Sequence, residues 1–393
     1  MADKIFMKNA LLLGKAESSY GVDPTPTGSA NAYLAEDMTL SPMEGETVDL
    51  SYYKGFFGSD ISLQTTHYMT LEFTLPWIPG TNTPGTASHF DPLFKACGLA
   101  ATAMASAVTG TPQGSNTDAI TLASNASSTN NIYRGVIIDI SPTGEKAVLL
   151  DYNGTTKRAG TMTKTGVWDV NPTNQDDYSI CQNMAYDPVS KDQGSIAFYY
   201  YLDGILHKMF GARGDFELTA EANNMQRIKF TFTGLYGGIA DASMPTPSYS
   251  AFNTPVPLNS TNTMGGIHGC NMSGNDTGVQ LKKFTFGLGN TVKHRQLVGS
   301  EAVVISDRMA KGSVSLEMTP MALLDWFDRI QESTTGIIFL QNGTEAGYRT
   351  NIILPKAQLM KPKYSNDDNV AMLDMDFKAI WTSGNDEVRL LEM

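Results

Sequence analysis

The chain has 393 residues, 41% hydrophobic but only 17% charged, with 36 Gly and a formal net charge of −12. That length accommodates two or three domains, and the bias to Gly and small polar residues suits turn-rich β-structure, not a helical or enzyme-like α/β chain. Three things are excluded: a membrane span, since no apolar run reaches the roughly 18 residues one needs; a disulfide framework, since Cys97, Cys181 and Cys270 are odd in number and widely spaced; and tight phosphate-backbone binding by counterion release.

The charge is uneven: residues 278–393 hold 13 basic and 14 acidic side chains, so nearly all the acid excess lies in 1–277. The opening "MADKIFMKNALLLGKAE" follows its Leu triplet at once with Lys and Glu, which does not suit a secretory signal. Next, "YMTLEFTLP" (68–76) alternates apolar and polar residues as a half-buried strand does. Asp91-Pro92 with Leu93, Phe94 and Cys97 reads as a short helix, with Asp91 as N-cap, Pro92 at the first helical position and Gly98 as the stop.

Residues 107–190 open with Gly, Ser, Thr and Asn, then offer "GVIIDI" and "KAVLLDY" with turns at Thr143-Gly144 and Asn153-Gly154. They predict a small all-β insertion. "IAFYYYLDG" (196–204) predicts a strand ending in a hairpin turn, and "IKFTFTGLY" (228–236) another strand. Between them lies Arg213-Gly214-Asp215, the tripeptide read by adhesion receptors of animal cells, expected here to be a glycine-supported turn and not a ligand. The Pro-, Ser-, Asn- and Gly-rich residues 241–276 predict a connector.

After the connector the series recurs. "GSVSLEMTP" (312–320) is a strand whose Leu316-Glu317-Met318-Thr319 matches Leu71-Glu72-Phe73-Thr74. Thr319-Pro320 then starts a helix with the stripe Leu323, Leu324, Phe327 and Ile330; "GIIFLQNG" (336–343) ends at a hairpin turn, Asn342-Gly343; and "LDMDFKAIW" (373–381) lies against "IKFTFTGLY" without a gap. The pairs Ile228/Leu373, Phe230/Met375, Phe232/Phe377 and Tyr236/Trp381 are expected on one buried face. Four elements in one order, twice, indicate internal duplication. The domains read as follows: a first unit from 1–106 and 191–240, an inserted β domain 107–190, a connector 241–277 and a second unit 278–393.

No catalytic, cofactor-binding or metal-binding constellation emerges. His67, His89, His207, His268 and His294 are scattered, and His268-Gly269-Cys270 has no second ligand pair. Asp374 and Asp376 read as the wet face of a strand, and the four Trp (77, 168, 326, 381) are dispersed, with Trp326 and Trp381 in core-facing elements.

The opening carries Lys15, Glu17, Tyr20, Gly21, Asp23 and Pro26, a Lys-x-Glu followed by a Tyr-Gly-x-Asp-x-x-Pro arm; "LDGILHKMFGARGDFEL" is followed by "RIKFTFTGLYGG". These stretches, within residues 1–105 and 195–260, resemble the major tail tube proteins of long-tailed, siphovirus-like bacteriophages. The resemblance implies a mainly β chain, here two tandem β-sandwich folds each with a short flanking helix plus the small insertion. It implies a non-enzymatic structural protein of the virion tail, assembled in the host cytoplasm. Its subunits join sheets into rings that stack into a DNA conduit. The implied partners are other copies of the chain, the tape-measure protein and viral DNA in the lumen without sequence-specific binding, and tail terminator and tail tip proteins, with no membrane and no cofactor. With two units per chain, a homotrimeric ring of pseudo-six-fold symmetry is expected, a hexamer being the alternative. Part of the acid excess of residues 1–277 is expected to face the lumen, and the N-terminal arm is expected to order only against a neighbour. A capsid decoration or tail terminator, and a carbohydrate-binding β-sandwich, are the other readings.

Overall fold

The computed structural model describes residues 4–79, 83–272, 278–322 and 324–393. Strand alternation holds where it was read: in Tyr68–Pro76, Met69, Leu71, Phe73 and Leu75 are buried while Thr70, Glu72 and Thr74 are not. The strands form two series that pair in one spatial order. The first runs Ala32–Tyr33, Ala10–Ala16, Ile196–Leu202, Ile205–Glu221, Arg227–Asp241, Tyr68–Pro76, Glu36–Glu44. The second runs Cys270–Asn271, Thr263–Ile267, Thr335–Asn342, Thr350–Asp367, Val370–Ala379, Lys311–Glu317, Leu281–Gly287. Each carries a side hairpin at the same place in chain order, Thr47–Asp49 with Ser62–Gln64 and Asn290–Leu297 with Ser300–Arg308. The fold is mainly β, in several sheets, with three short helices among the described residues.

One hydrophobic core serves both series. Phe73, Phe94, Phe216, Phe230 and Phe232 meet in the first, Phe284 stacks on Phe377 at 5.5 Å in the second, and Phe216 reaches Phe286 at 6.3 Å between them. Offset aromatic contacts of this kind add to the burial of large apolar area.

The stretch from Val108 to Ile180 forms a separate seven-stranded sheet. Its core residues Ile120, Val136, Ile138, Val148 and Trp168 pack in one cluster with Met264, Phe339, Ile353 and Leu391. Chain leaving the first series thus covers the outer sheet face of the second. Residues 183–188, expected within the insertion, instead pair with Leu99–Met104 and with the last strand, Arg389–Glu392.

Several expectations change. The sequence match of Leu71 with Leu316 is out of register by four residues, because Leu75 faces Ile228 and Leu316 faces Leu373. A strand pattern of period two cannot detect an even shift. Ile228, Phe230, Phe232, Leu373, Met375 and Phe377 are buried, but Tyr236 and Trp381 are not. The second strand ends at Ala379, and the first bends at the bulges opposite Tyr236. The second helix is Trp326–Gln331, begun not by Thr319-Pro320 but by Asp325, whose carboxylate accepts from the N–H groups of Phe327 and Asp328. That charged cap satisfies two orphan donors. Leu323 lies outside the described residues. In the helix Asp91–Ala96, the cap is Phe90, and Asp91 occupies the first turn, paired with Lys95 at 2.8 Å.

The expected connector contains the Thr263–Ile267 strand, hidden from a propensity reading by Gly265 and Gly266. A Cβ on Gly266 would lie 2.4 Å from the Phe339 ring, so that strand fits only with glycine there. Asp203-Gly204 is the tight turn expected, both with positive φ. The Asn342 hairpin closes instead over the longer loop 343–349.

Candidate assembly surface

The long strand Ile205–Glu221 serves two layers. Its first part pairs with Ile196–Leu202; past a bulge between Phe210 and Arg213, Glu217–Glu221 pairs with Lys283–Gly287 of the second series. Five residue pairs therefore weld the two series edge to edge, with Leu218 opposite Phe286, both fully buried. The result is a continuous sheet with one face on the core and the other open. The open face carries Thr70, Thr74, Thr231, Thr285, Ser313 and Ser315. It carries charges of both signs: Lys229 bridges Glu72 at 2.8 Å and lies opposite Glu217, Glu221 lies opposite Lys283, and Lys311 lies opposite Lys378. Opposed charges on neighbouring strands stabilise a sheet face. "LKKFTFG" (281–287), not singled out above, alternates plainly at Phe284 and Phe286 and could have been read as a strand.

Among the described residues the sheet ends in two edges. Glu36–Glu44 pairs only with Tyr68–Pro76, and Lys363–Asp367 pairs only with Val370–Asp374. The second edge corresponds by register to the welded one: Leu218 faces Ile228 as Tyr364 faces Leu373. Leu218 is 0% exposed because the second series lies beside it, whereas Tyr364 is 61% exposed. Open edges of this length are templates for another strand.

Arg213-Gly214-Asp215 is not a turn but part of the strand just after the bulge, where Gly211 has φ 55°. Arg213 donates to the carbonyls of Gly194 (3.2 Å), Gln193 (3.0 Å) and Val303 (2.8 Å), and lies 5.0 Å from the Tyr20 ring. The Tyr20 hydroxyl in turn accepts from the Val303 N–H at 2.5 Å. Asp215 accepts from backbone N–H groups at Phe216, Gly289 and Asn290, and burial pushes its carboxyl up to about 6. The tripeptide clasps the 290–308 hairpin to the first series and offers no free recognition loop.

The arm residues complete this clasp. Glu17 accepts from the N–H groups of Gly211 (2.6 Å) and Gly21 (2.9 Å), and Asp23 from Tyr199 (2.5 Å) and Lys208 (3.2 Å). Contrary to expectation, this arm is held by its own chain, because Glu17 finds a backbone donor at the bulge and Asp23 the Tyr199 and Lys208 side chains beside it.

Of the other singled-out residues, Trp77, Trp168 and Trp326 are buried, while Trp381 is 67% exposed beside a groove. His268 and Cys270 flank the turn before Cys270–Asn271, with the Arg329 guanidinium donating to the His268 carbonyl at 2.7 Å. A fixed cation beside that pair opposes a metal ion there. Asp374 accepts from Ser315 at 2.5 Å, and Asp376 pairs with Lys361 at 3.2 Å.

The family model described as phage tail tube protein matches residues 7–379. A comparison with curated proteins finds no match. With nearly its whole length matched and a β-rich fold to go with it, the chain belongs to the phage tail tube protein family, a structural component of the virion tail.

Proposed function

We propose that three copies of the chain close a ring of pseudo-six-fold symmetry and that such rings stack into a tube through which DNA passes. The observation that carries this reading is the edge-to-edge weld of Glu217–Glu221 with Lys283–Gly287. It joins two like series inside one chain, and the outermost strands present the same two kinds of edge unpaired. Applied between chains, the same joint pairs Lys363–Asp367 of one copy with Glu36–Glu44 of the next. Repetition of one joint closes a ring and leaves no sheet edge exposed. The division into two tube units, with 107–190 inserted in the first, is part of this proposal. Negative-stain electron microscopy of the purified chain tests it. Stacked tubes whose end views show three chains in a six-lobed ring are expected; six chains per ring would remove the pseudo-symmetry, and unstacked closed oligomers would favour a decoration or terminator role.

In this arrangement the open sheet face lines the channel. It does not carry a bare acidic excess, because Glu72 and Lys229 neutralise each other. A passing duplex then meets hydroxyls and charges of both signs, with the opposed Lys311 and Lys378 too few cations to hold its phosphates tightly. Replacing Glu72 and Glu217 by Lys breaks that balance, and virions built from the variant are expected to eject DNA more slowly, with a stronger dependence on salt. Ejection at the wild-type rate would refute a channel role for this face.

A further inference from the structure

We infer that the Thr47–Gln64 hairpin of one copy seats in the groove beside Trp381 of a neighbouring copy; the inference rests on the ring reading above. Its template lies within the chain. The 290–308 hairpin leaves the weld immediately after Gly287, where the Leu288 N–H donates to the Phe216 carbonyl at 3.2 Å, and crosses the rim of the first series. There Val303 is fully buried in the grip of Arg213 and Tyr20, and His294 stacks on Tyr68 at 4.9 Å. Gln296 and Glu301, near its tip, line a cavity together with Tyr236 and His67.

The hairpin at the equivalent place in the first series has no such seat. Among the described residues it makes no hydrogen bond to the rest of its own chain; it is paired through Val48 and Leu63, with Tyr53 and Phe57 at its end fully exposed. Exposed aromatic surface of this extent marks a contact surface.

The equivalent seat in the second series is open. Arg213 lies opposite Thr233, next to the pair Gly214–Phe232; Gln358 lies opposite Lys378, next to the pair Leu359–Phe377. Gln358 therefore holds the place of Arg213, and Trp381 that of Tyr236. Both line a groove of about 780 Å³ with Met309 and Ile380. The joint between copies delivers the occupant: it puts Glu36–Glu44 where Leu281–Gly287 lies in the template, so the hairpin that follows emerges at the rim of the second series. The chemistry of the contact shifts accordingly. A Gln amide replaces the guanidinium that donates to three carbonyls, and the hairpin's aromatic side chains supply apolar contact with Trp381, Met309 and Ile380.

Disulfide trapping tests the seat on the full chain. Trp381→Cys is combined in one chain with Leu63→Cys, Tyr53→Cys or Phe57→Cys, and the protein is oxidised in its assembled state with sedimentation run alongside. At least one combination is expected to give a ladder of covalently linked chains that neither single variant gives, and that disappears when Tyr364→Asp is added. Assembly on sedimentation without a ladder from any combination overturns the hairpin seat and leaves the ring reading standing. Failure to associate at all, in the wild-type chain as well, overturns both.

Discussion

A chain carrying Tyr364→Asp is expected to fold as the wild type does and to lose assembly. In the single chain Tyr364 is largely exposed, at 61%, so the folded state tolerates a carboxylate there with little change in stability. In the joint between copies the same position takes the role of Leu218, which is 0% exposed beside Phe286. A carboxylate buried there without a partner costs about 3–5 kcal/mol per joint, which is roughly a hundredfold or more in association. Leu40→Asp on the opposite edge is expected to block the same joint, with some loss of stability in the single chain because Leu40 packs partly against the core; Leu40 faces Leu71 there as Phe286 faces Gly312 in the template. Each variant keeps one sound edge. Mixing the two should therefore give dimers and nothing larger, read by analytical ultracentrifugation. Tubes from Tyr364→Asp alone would sink the proposed joint.

Why some of this was legible in the sequence and some not follows from the physics of sheets. Strands with one buried face announce themselves by alternation, and Met69 to Leu75 or Ile228 to Phe232 did so. Register did not, because an even slip preserves the buried face, so the match of Leu71 with Leu316 was plausible and displaced. Glycine hid the Thr263–Ile267 strand: Gly265 and Gly266 suit a loop by propensity, and only the Met272 side chain against the first and the Phe339 ring against the second explain their place. The candidate surface was least legible. Arg213-Gly214-Asp215 read locally as a turn because two glycines flank the arginine, yet its role depends on Tyr20 and Val303, far away in the chain. Edges are properties of the whole sheet, and no local pattern separates the welded Glu217–Glu221 from the open Lys363–Asp367.

Glu392→Gln is expected to stabilise the chain by about 3 kcal/mol above pH 7 and to leave it unchanged at low pH. Glu392 lies on the last strand, which pairs with Asn183–Pro188 and with Thr350–Ile353 of the second series, and its carboxylate accepts from Trp77, next to Pro76 of the first series, so it links the two series. Burial pushes its carboxyl from 4.5 up to about 7, although Trp77 Nε1 (3.3 Å) donates to it. The unfolded chain gives up this proton near 4.5 and the folded chain near 7, so between those values the folded state holds a proton the unfolded state has lost. Its contribution is complete below 4.5, declines through that window and is level above it. Glutamine keeps the shape and an acceptor for Trp77, and carries no charge to bury. His89 and His268 act in the opposite sense: burial lowers them to about 3 and about 4, so stability is lost as pH falls below 6.5. Both histidines are present in the two proteins and cancel in the difference, so the measurement is the gap in urea-unfolding free energy between variant and wild type as a function of pH. A gap that opens as pH rises from 4.5 to 7 places the ionisation of Glu392 among the forces that loosen the tie between the series, and a gap that stays flat denies it.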